Sequence, residues 1–474
     1  MIRYAAALIV LTTSAFAAEP AQTLKFGRFG EVPVYAPPDD PVSAAILISS
    51  EAGWGTDEGA LAKALTKAGA IVFGVDWKRF SKTLEHDSAP CSYPASDLSA
   101  LGQYGEKLMG IKHFLLPILI GLGDGGAAVY PAFAQSPSDT FKGALGAGFC
   151  PTVKLDRPFC KGSQANLKGV PENGTITYPP IPAGLPNFVA LNGYPGQACG
   201  ANVVSAMIAA TPQAREILFE PAGDRTAQII TAYRSIAGTE TAFEKAQSSK
   251  SGTEPASVAQ PAPGHVDISG LSDLPLTVVP ATGNPKSFAI FLTGDGGWAG
   301  IDQGISATLA ARGVEIVGFN TLDYFWNEKT PEQTAADLNR VLDAIRTAAP
   351  GASVQIIGYS YGAEIAPVVY PRLTDRSKTM IARMTLLVPG KLAVFAFSTS
   401  YWLGTKPSAG EDVEKAIRSE TDDRVLCVYS EDDDGACPAL KKDTPANVTL
   451  KVLGSGHHFG GNYDELAAII GVED

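Results

Sequence analysis

The chain has 474 residues, of which 45% are hydrophobic and 18% charged, with a formal net charge of −12. That length exceeds one ordinary core and the apolar share excludes a disordered chain, so two domains of roughly 200 residues each are expected. The acidic balance excludes a nucleic-acid partner, because phosphates would be repelled over most of the surface, yet it leaves room for a cationic ligand.

The first residues read as an export signal. Arg3 supplies a short positive region, Ala5 to Leu11 is apolar, and Ala15-Phe16-Ala17 is a small-x-small site, so cleavage is expected after Ala17. The apolar run is too short to span a bilayer, and no later stretch approaches the ~20 apolar residues a membrane helix needs, so no integral span is expected after cleavage. Six cysteines in loop-like sequence suit an oxidising compartment. Cys150 and Cys160 flank a proline-rich loop and Cys427 and Cys437 flank an acidic one, so both pairs read as local staples. Cys91 and Cys199 then pair by elimination, within the 15 pairings that six cysteines allow. No C-x-x-C is present and the five histidines are not at ligand spacing beside the cysteines, so neither a metal nor a cofactor is expected.

Residues 247–265 carry Ser, Pro, Ala and Gly with almost no large apolar side chains, so they cannot build a core and should form a tether. They separate residues 18–246 from residues 266–474, and the two parts resemble each other. Residues 43–54 align with 287–298 without a gap, and residues 61–76 with 305–320. Each copy reads as strand, glycine-tryptophan loop, amphipathic helix and second strand, which implies a parallel sheet with helices on its faces. The chain therefore reads as a duplicated α/β domain.

In the second copy an apolar, β-branched strand stops at Gly358-Tyr359-Ser360-Tyr361-Gly362 and a helix-compatible run follows, the pattern of a G-x-S-x-G elbow that presents a serine nucleophile. In α/β-hydrolase order an acid and then a histidine should follow, and they do. The strand-like 424–429 leads into Glu431-Asp432-Asp433-Asp434, and the strand-like 448–453 leads into Gly454-Ser455-Gly456-His457-His458. Asp433 is the preferred acid by its distance beyond the strand, with Asp432 as substitute and Glu431 and Asp434 left open. His457 is the preferred base. The oxyanion donors are expected from the Tyr361 N–H and from Asp295 or Gly296 in Thr293–Trp298, which is similar to the H-G-x-G loop of esterases with threonine in place of histidine. No Lys-Ser/Thr follows that glycine loop, which disfavours a nucleotide site. Asp295 and Asp302 are also candidates to face a ligand as anions. The first copy has Gly123-Asp124 around the serine position and no histidine after 215–225, so it should have lost catalysis; an aspartate nucleophile at Asp124 would lack a base.

Gly294–Trp298, Gly358–Ala363, the Cys427/Cys437 pair around the acidic loop and Gly456–Phe459 together resemble the bacterial VirJ/AcvB virulence protein family. The motif matches cover the second half, and the longer AcvB-type members also carry an extra N-terminal half. The resemblance implies two tandem α/β-hydrolase-like domains, each a mainly parallel sheet flanked by helices, in the periplasm. It also implies hydrolysis of aminoacylated phosphatidylglycerol, releasing lysine from lysyl-phosphatidylglycerol, with Ser360 as nucleophile and His457 as base. The implied partner is an aminoacylated phospholipid at the membrane surface, with secretion-system proteins a further possibility. Two other readings compete: a general carboxylesterase or lipase, and a non-catalytic periplasmic scaffold for virulence components.

Overall fold

Two sheets, one in each half of the chain, share one strand order. The computed structural model describes residues 20–86, 89–162, 167–238, 264–298, 300–405, 408–420 and 424–471. The export signal lies outside the described residues, as does the tether apart from Gly264 and His265.

The first half contributes β1 (Gln22–Phe26), β2 (Gly30–Tyr35), β3 (Ser43–Ile48), β4 (Ala70–Val75), β5 (Pro117–Leu122) and β6 (Gly143–Ala147). A small antiparallel excursion of β7 (Thr152–Val153), β8 (Val170–Glu172) and β9 (Thr175–Thr177) follows, then β10 (Phe188–Asn192) and β11 (Arg215–Leu218). The main sheet runs β1-β2-β4-β3-β5-β6-β10-β11. The second half contributes β12 (Leu276–Val279), β13 (Ser287–Leu292), β14 (Val314–Phe319), β15 (Val354–Tyr359) and β16 (Ile381–Leu387). A short hairpin of β17 (Leu392–Ala393) and β18 (Glu411–Asp412) precedes β19 (Arg424–Tyr429) and β20 (Val448–Val452). Its main sheet runs β12-β14-β13-β15-β16-β19-β20, parallel except for β12. Removing β1 from the first sheet leaves the same order, so the internal repeat extends over seven strands.

Both faces of these sheets are covered by helices, which is why the central strands are unbroken apolar runs rather than alternating ones. All six residues of β3 and of β5 are buried, and five of six in β15. The tryptophans of the repeated glycine loop explain the glycines of the neighbouring strands. A Cβ on Gly74 would lie 2.4 Å from the Trp54 ring, and one on Gly318 would lie 2.3 Å from the Trp298 ring. Only glycine lets each indole lie across its strand. No helix among the described residues is long and apolar enough to cross a membrane.

The disulfides correct one expectation. Cys427 pairs with Cys437, but Cys150 pairs with Cys199 and Cys91 with Cys160. Sheet adjacency decides the matter. Cys150 leaves the sheet just after β6, which pairs with β10, so the loop after β10 returns Cys199 to it and the Cys199 N–H lies 2.8 Å from Cys150 Sγ. The segment around Ser92 bridges that around Phe159, with Cys160 N–H donating to Ser92 O at 2.8 Å, which sets Cys160 against Cys91.

Candidate active site

β15 ends at Tyr359 and the helix Tyr361–Val369 begins at once, so the whole reversal falls on Ser360. That serine has φ 50° and ψ −112°, a left-handed conformation that costs an L-residue about 1–2 kcal/mol. Its N–H donates to Leu387 O of β16 at 2.8 Å, which ties the turn to the sheet. Two close approaches make the flanking glycines obligatory. A Cβ on Gly358 would lie 2.6 Å from Gly362 O, and one on Gly362 would lie 2.2 Å from Leu292 O. The first half keeps the same backbone with a different occupant: Gly123 has φ 54° and ψ −120° between β5 and the helix Asp124–Gln135. Asp124, one residue further on, pairs with Lys154 Nζ at 3.1 Å.

Ser360 and His457 are brought together from residues 97 apart, with Ser360 Oγ and His457 Nε2 separated by 2.8 Å. Ser360 is 7% exposed while His457 lies open to solvent, so the hydroxyl is held from below and the imidazole caps it. The four acids of the 431–434 loop divide into distinct positions. Asp432 is exposed and accepts from Gly456 N–H at 2.7 Å, a contact that anchors the histidine loop and holds its carboxyl below the usual range. Asp433 is half-buried and accepts from Gly435 N–H through Oδ1 at 3.0 Å, while its Oδ2 is buried with no hydrogen-bond partner among the described residues. Partial burial pushes Asp433 up, opposed by the Gly435 N–H and by the nearby His457. No hydrogen bond joins Asp433 to His457 among the described residues. Glu431 and Asp434 are exposed; Asp434 lies 4.0 Å from Lys391 Nζ.

The glycine turn after β13 stands against the serine. A Cβ on Gly294 would lie 3.7 Å from Ser360 Cβ, and Gly297 N–H closes the turn onto Gly294 O at 3.1 Å. Gly296 is exposed at its tip and Asp295 is half-buried, facing the Tyr401 hydroxyl. Tyr361 is the first residue of its helix, where a backbone N–H has no intrahelical acceptor. Asp302, entertained above as a ligand-facing anion, is 1% exposed beside Tyr359 and Tyr463, in the core rather than at the site.

Two features lie beyond what motif reading reaches. The Tyr359 hydroxyl is 3.2 Å from His457 O and 3.1 Å from His458 Nδ1. A carbonyl can only accept, so the phenol donates to His457 O and accepts from His458 Nδ1–H, which fixes that ring's tautomer. The first half has Leu122 at this place. A narrow slot of about 50 Å³ also opens against Tyr361, the residue after the serine, with Glu364, Val394, Ser398, Ser400 and Tyr401 among its other lining residues. Withdrawal from solvent, then the Asp295 carboxylate, push Glu364 up to about 8 against the stabilising Gly390 N–H. Among the described residues no group of three or more His, Cys, Asp or Glu is placed to hold a metal ion.

Residues 286–473 match the model of the family described as Bacterial virulence protein (VirJ). No curated protein matches the sequence. Among solved structures the chain is similar to Est1E from Butyrivibrio proteoclasticus, at 15% identity and a TM-score of 0.31 over 41% of this chain and 92% of that one. It is also similar to MenH from S. aureus (11%, TM-score 0.33, 41% and 96%) and to XC6422 from Xanthomonas campestris, a serine hydrolase without a lid (12%, TM-score 0.29, 41% and 85%). The strand order and the elbow give the second half an α/β-hydrolase-like fold, and within it residues 286–473 are a match to the VirJ family.

Proposed function

We propose that residues 266–474 form a serine ester hydrolase that cleaves the aminoacyl ester of aminoacyl-phosphatidylglycerol, lysyl-phosphatidylglycerol in particular, at the periplasmic membrane surface, and that residues 18–246 form a domain that has lost catalysis. The observation that carries the reading is the 2.8 Å contact between Ser360 Oγ and His457 Nε2 at a strained turn. His457 takes the Ser360 proton as Oγ bonds to the ester carbonyl carbon. The bond from that carbon to the glycerol oxygen then breaks, and His457 returns the proton to the departing phosphatidylglycerol. Water resolves the aminoacyl-enzyme by the same two transfers in reverse. Asp433 is the acid, its orphaned Oδ2 available to the imidazolium that forms; apo hydrogen bonds of this kind commonly tighten only with substrate. Tyr361 N–H and an N–H of the Asp295-Gly296 turn receive the oxyanion.

The substrate class rests on the slot. At about 50 Å³ the slot is far below the 300 Å³ or more typical of sites for larger ligands, which disfavours a fatty acyl chain and so a lipase. Glu364 and Asp295 suit a cationic acyl group such as lysyl. A scaffold role is disfavoured by strain: a turn kept only for packing is served by glycine, as at Gly123, whereas Ser360 holds a costly φ of 50°. The three disulfides support a periplasmic location.

The test is direct. Purified wild type should release free lysine from vesicles containing lysyl-phosphatidylglycerol, and Ser360→Ala should not. Equal release by both would remove Ser360 from the mechanism, and turnover of simple esters without lysine release would transfer the reading to a general esterase. A subtler loss is expected from Tyr359→Phe, which frees the histidine loop from its phenol: kcat falls about tenfold while KM and Tm stay near wild type, by steady-state kinetics and thermal melting.

A further inference from the structure

The wall of the slot is not supported by its own half alone. Residues 394–405 form that wall between β17 and β18, and their one helical turn, Thr399–Trp402, has no buried residue. A single turn of helix does not hold itself, because nucleation costs more than one hydrogen bond returns. What stands behind it is the first half. Trp402 Nε1–H donates to Gln103 Oε1 at 2.8 Å, and Gln103, on the helix Pro94–Leu108, is 6% exposed. Beside it Trp326 Nε1–H donates to Ile111 O at 2.8 Å, its carbonyl accepts from Lys107 Nζ, and its ring lies 5.2 Å from Phe114 and 6.1 Å from Trp402.

From Trp402 an aromatic stack runs to the serine's neighbour. Trp402 lies 5.8 Å from Phe397 and 6.0 Å from Tyr401, Phe397 stacks on Tyr361 at 4.4 Å, and Tyr401 meets Tyr361 edge-on at 6.4 Å. Tyr361 also donates its hydroxyl to Val394 O, closing the wall onto the helix that begins at the elbow. Tyr401 in turn carries the hydroxyl that faces Asp295.

We propose that the first half is the support on which the acyl-binding wall of the second half is set, with Gln103 as the positioning residue acting through Trp402. The proposal rests on the reading of the slot as the acyl site, and it gives the non-catalytic copy a task. Loss of the Gln103 acceptor frees the Thr399–Trp402 turn and blurs the slot, without touching Ser360 or His457.

The experiment compares full-length wild type, Gln103→Leu and Gln103→Glu, the last keeping an acceptor for the Trp402 N–H. For Gln103→Leu the amides of residues 394–405 should exchange about fivefold faster, and KM for lysyl-phosphatidylglycerol should rise about fivefold with kcat within twofold. Gln103→Glu should restore both. Trp402→Phe, which removes the donor from the other side of the same bond, should reproduce the exchange pattern, so the readout survives if one variant folds poorly. Unchanged exchange over 394–405 in both Gln103→Leu and Trp402→Phe would overturn the proposal, as would a loss confined to kcat. Absence of lysine release by wild type would instead defeat the proposed reaction, and the exchange comparison would still decide the support.

Discussion

His457→Ala should lower kcat for lysyl-phosphatidylglycerol by at least about ten thousandfold, while vesicle binding, measured by co-sedimentation, stays within twofold of wild type. Without the imidazole, the Ser360 hydroxyl has no acceptor for its proton and the leaving glycerol oxygen has no donor, so both halves of the reaction lose their proton carrier. The 2.8 Å contact and the exposed position of His457 mean that its removal leaves no buried cavity, so Tm should hardly move. The acids of the 431–434 loop separate in the same assay. Asp433→Asn should cost a large part of the same kcat, because on the proposed reading its buried Oδ2, without a hydrogen-bond partner among the described residues, receives the charged ring. Asp432→Asn, which weakens the Gly456 anchor, should cost about tenfold or less. The reverse ranking would exchange their roles.

Glu364→Gln should lower kcat/KM for the lysyl ester by about thirtyfold, the order expected when one partner of a desolvated charge pair is neutralised, and should leave a neutral acyl ester unchanged or slightly faster. The pH dependence carries the sharper signature. Glu364 in the free protein is held up to about 8 by withdrawal from solvent and by Asp295, so at pH 6 it is mostly neutral and offers an ammonium little. As pH rises from 6 to 8 the carboxylate forms, and KM for the lysyl ester should fall; in Glu364→Gln that fall should vanish. The sign for stability runs the other way. A carboxyl whose folded-state value lies above its ordinary 4.5 binds its proton more tightly folded than unfolded, so stability declines as pH climbs from about 4.5 through about 8. Thermal melts of the variant should lack that component.

The features written in local sequence were the ones that could be read in advance. The seven-strand repeat follows from hydrophobic runs and glycine-tryptophan loops, each dictated by residues a few positions apart. The proximity of Ser360 and His457 follows because a parallel sheet delivers every strand's C-terminal loop to one edge. The cysteine pairing failed for the corresponding reason. Cys150 and Cys160 are near in sequence, but β6 and β10 pair across the excursion between them and carry Cys150 to Cys199. Glu364 carries no signal in the sequence, because a glutamate in the first turn of a helix is ordinary. Its burial depends on Gly390 and on the 394–405 wall, which no local pattern announces. Gln103 lies 299 positions from Trp402, so its part in the second half exists only once the two halves meet.

Gly123 and Ser360 share a backbone to within a few degrees, and that identity gives the duplication a direction. Exchanging serine for glycine at this φ removes a steric penalty of about 1–2 kcal/mol, so on the proposed reading a copy free of turnover gains stability by the exchange. The way back is uphill on three counts at once: the strain must be restored, a base must arise after β11, and a phenol must replace Leu122. On the proposed reading, one copy is thereby committed to structure and the other carries the strain that chemistry requires.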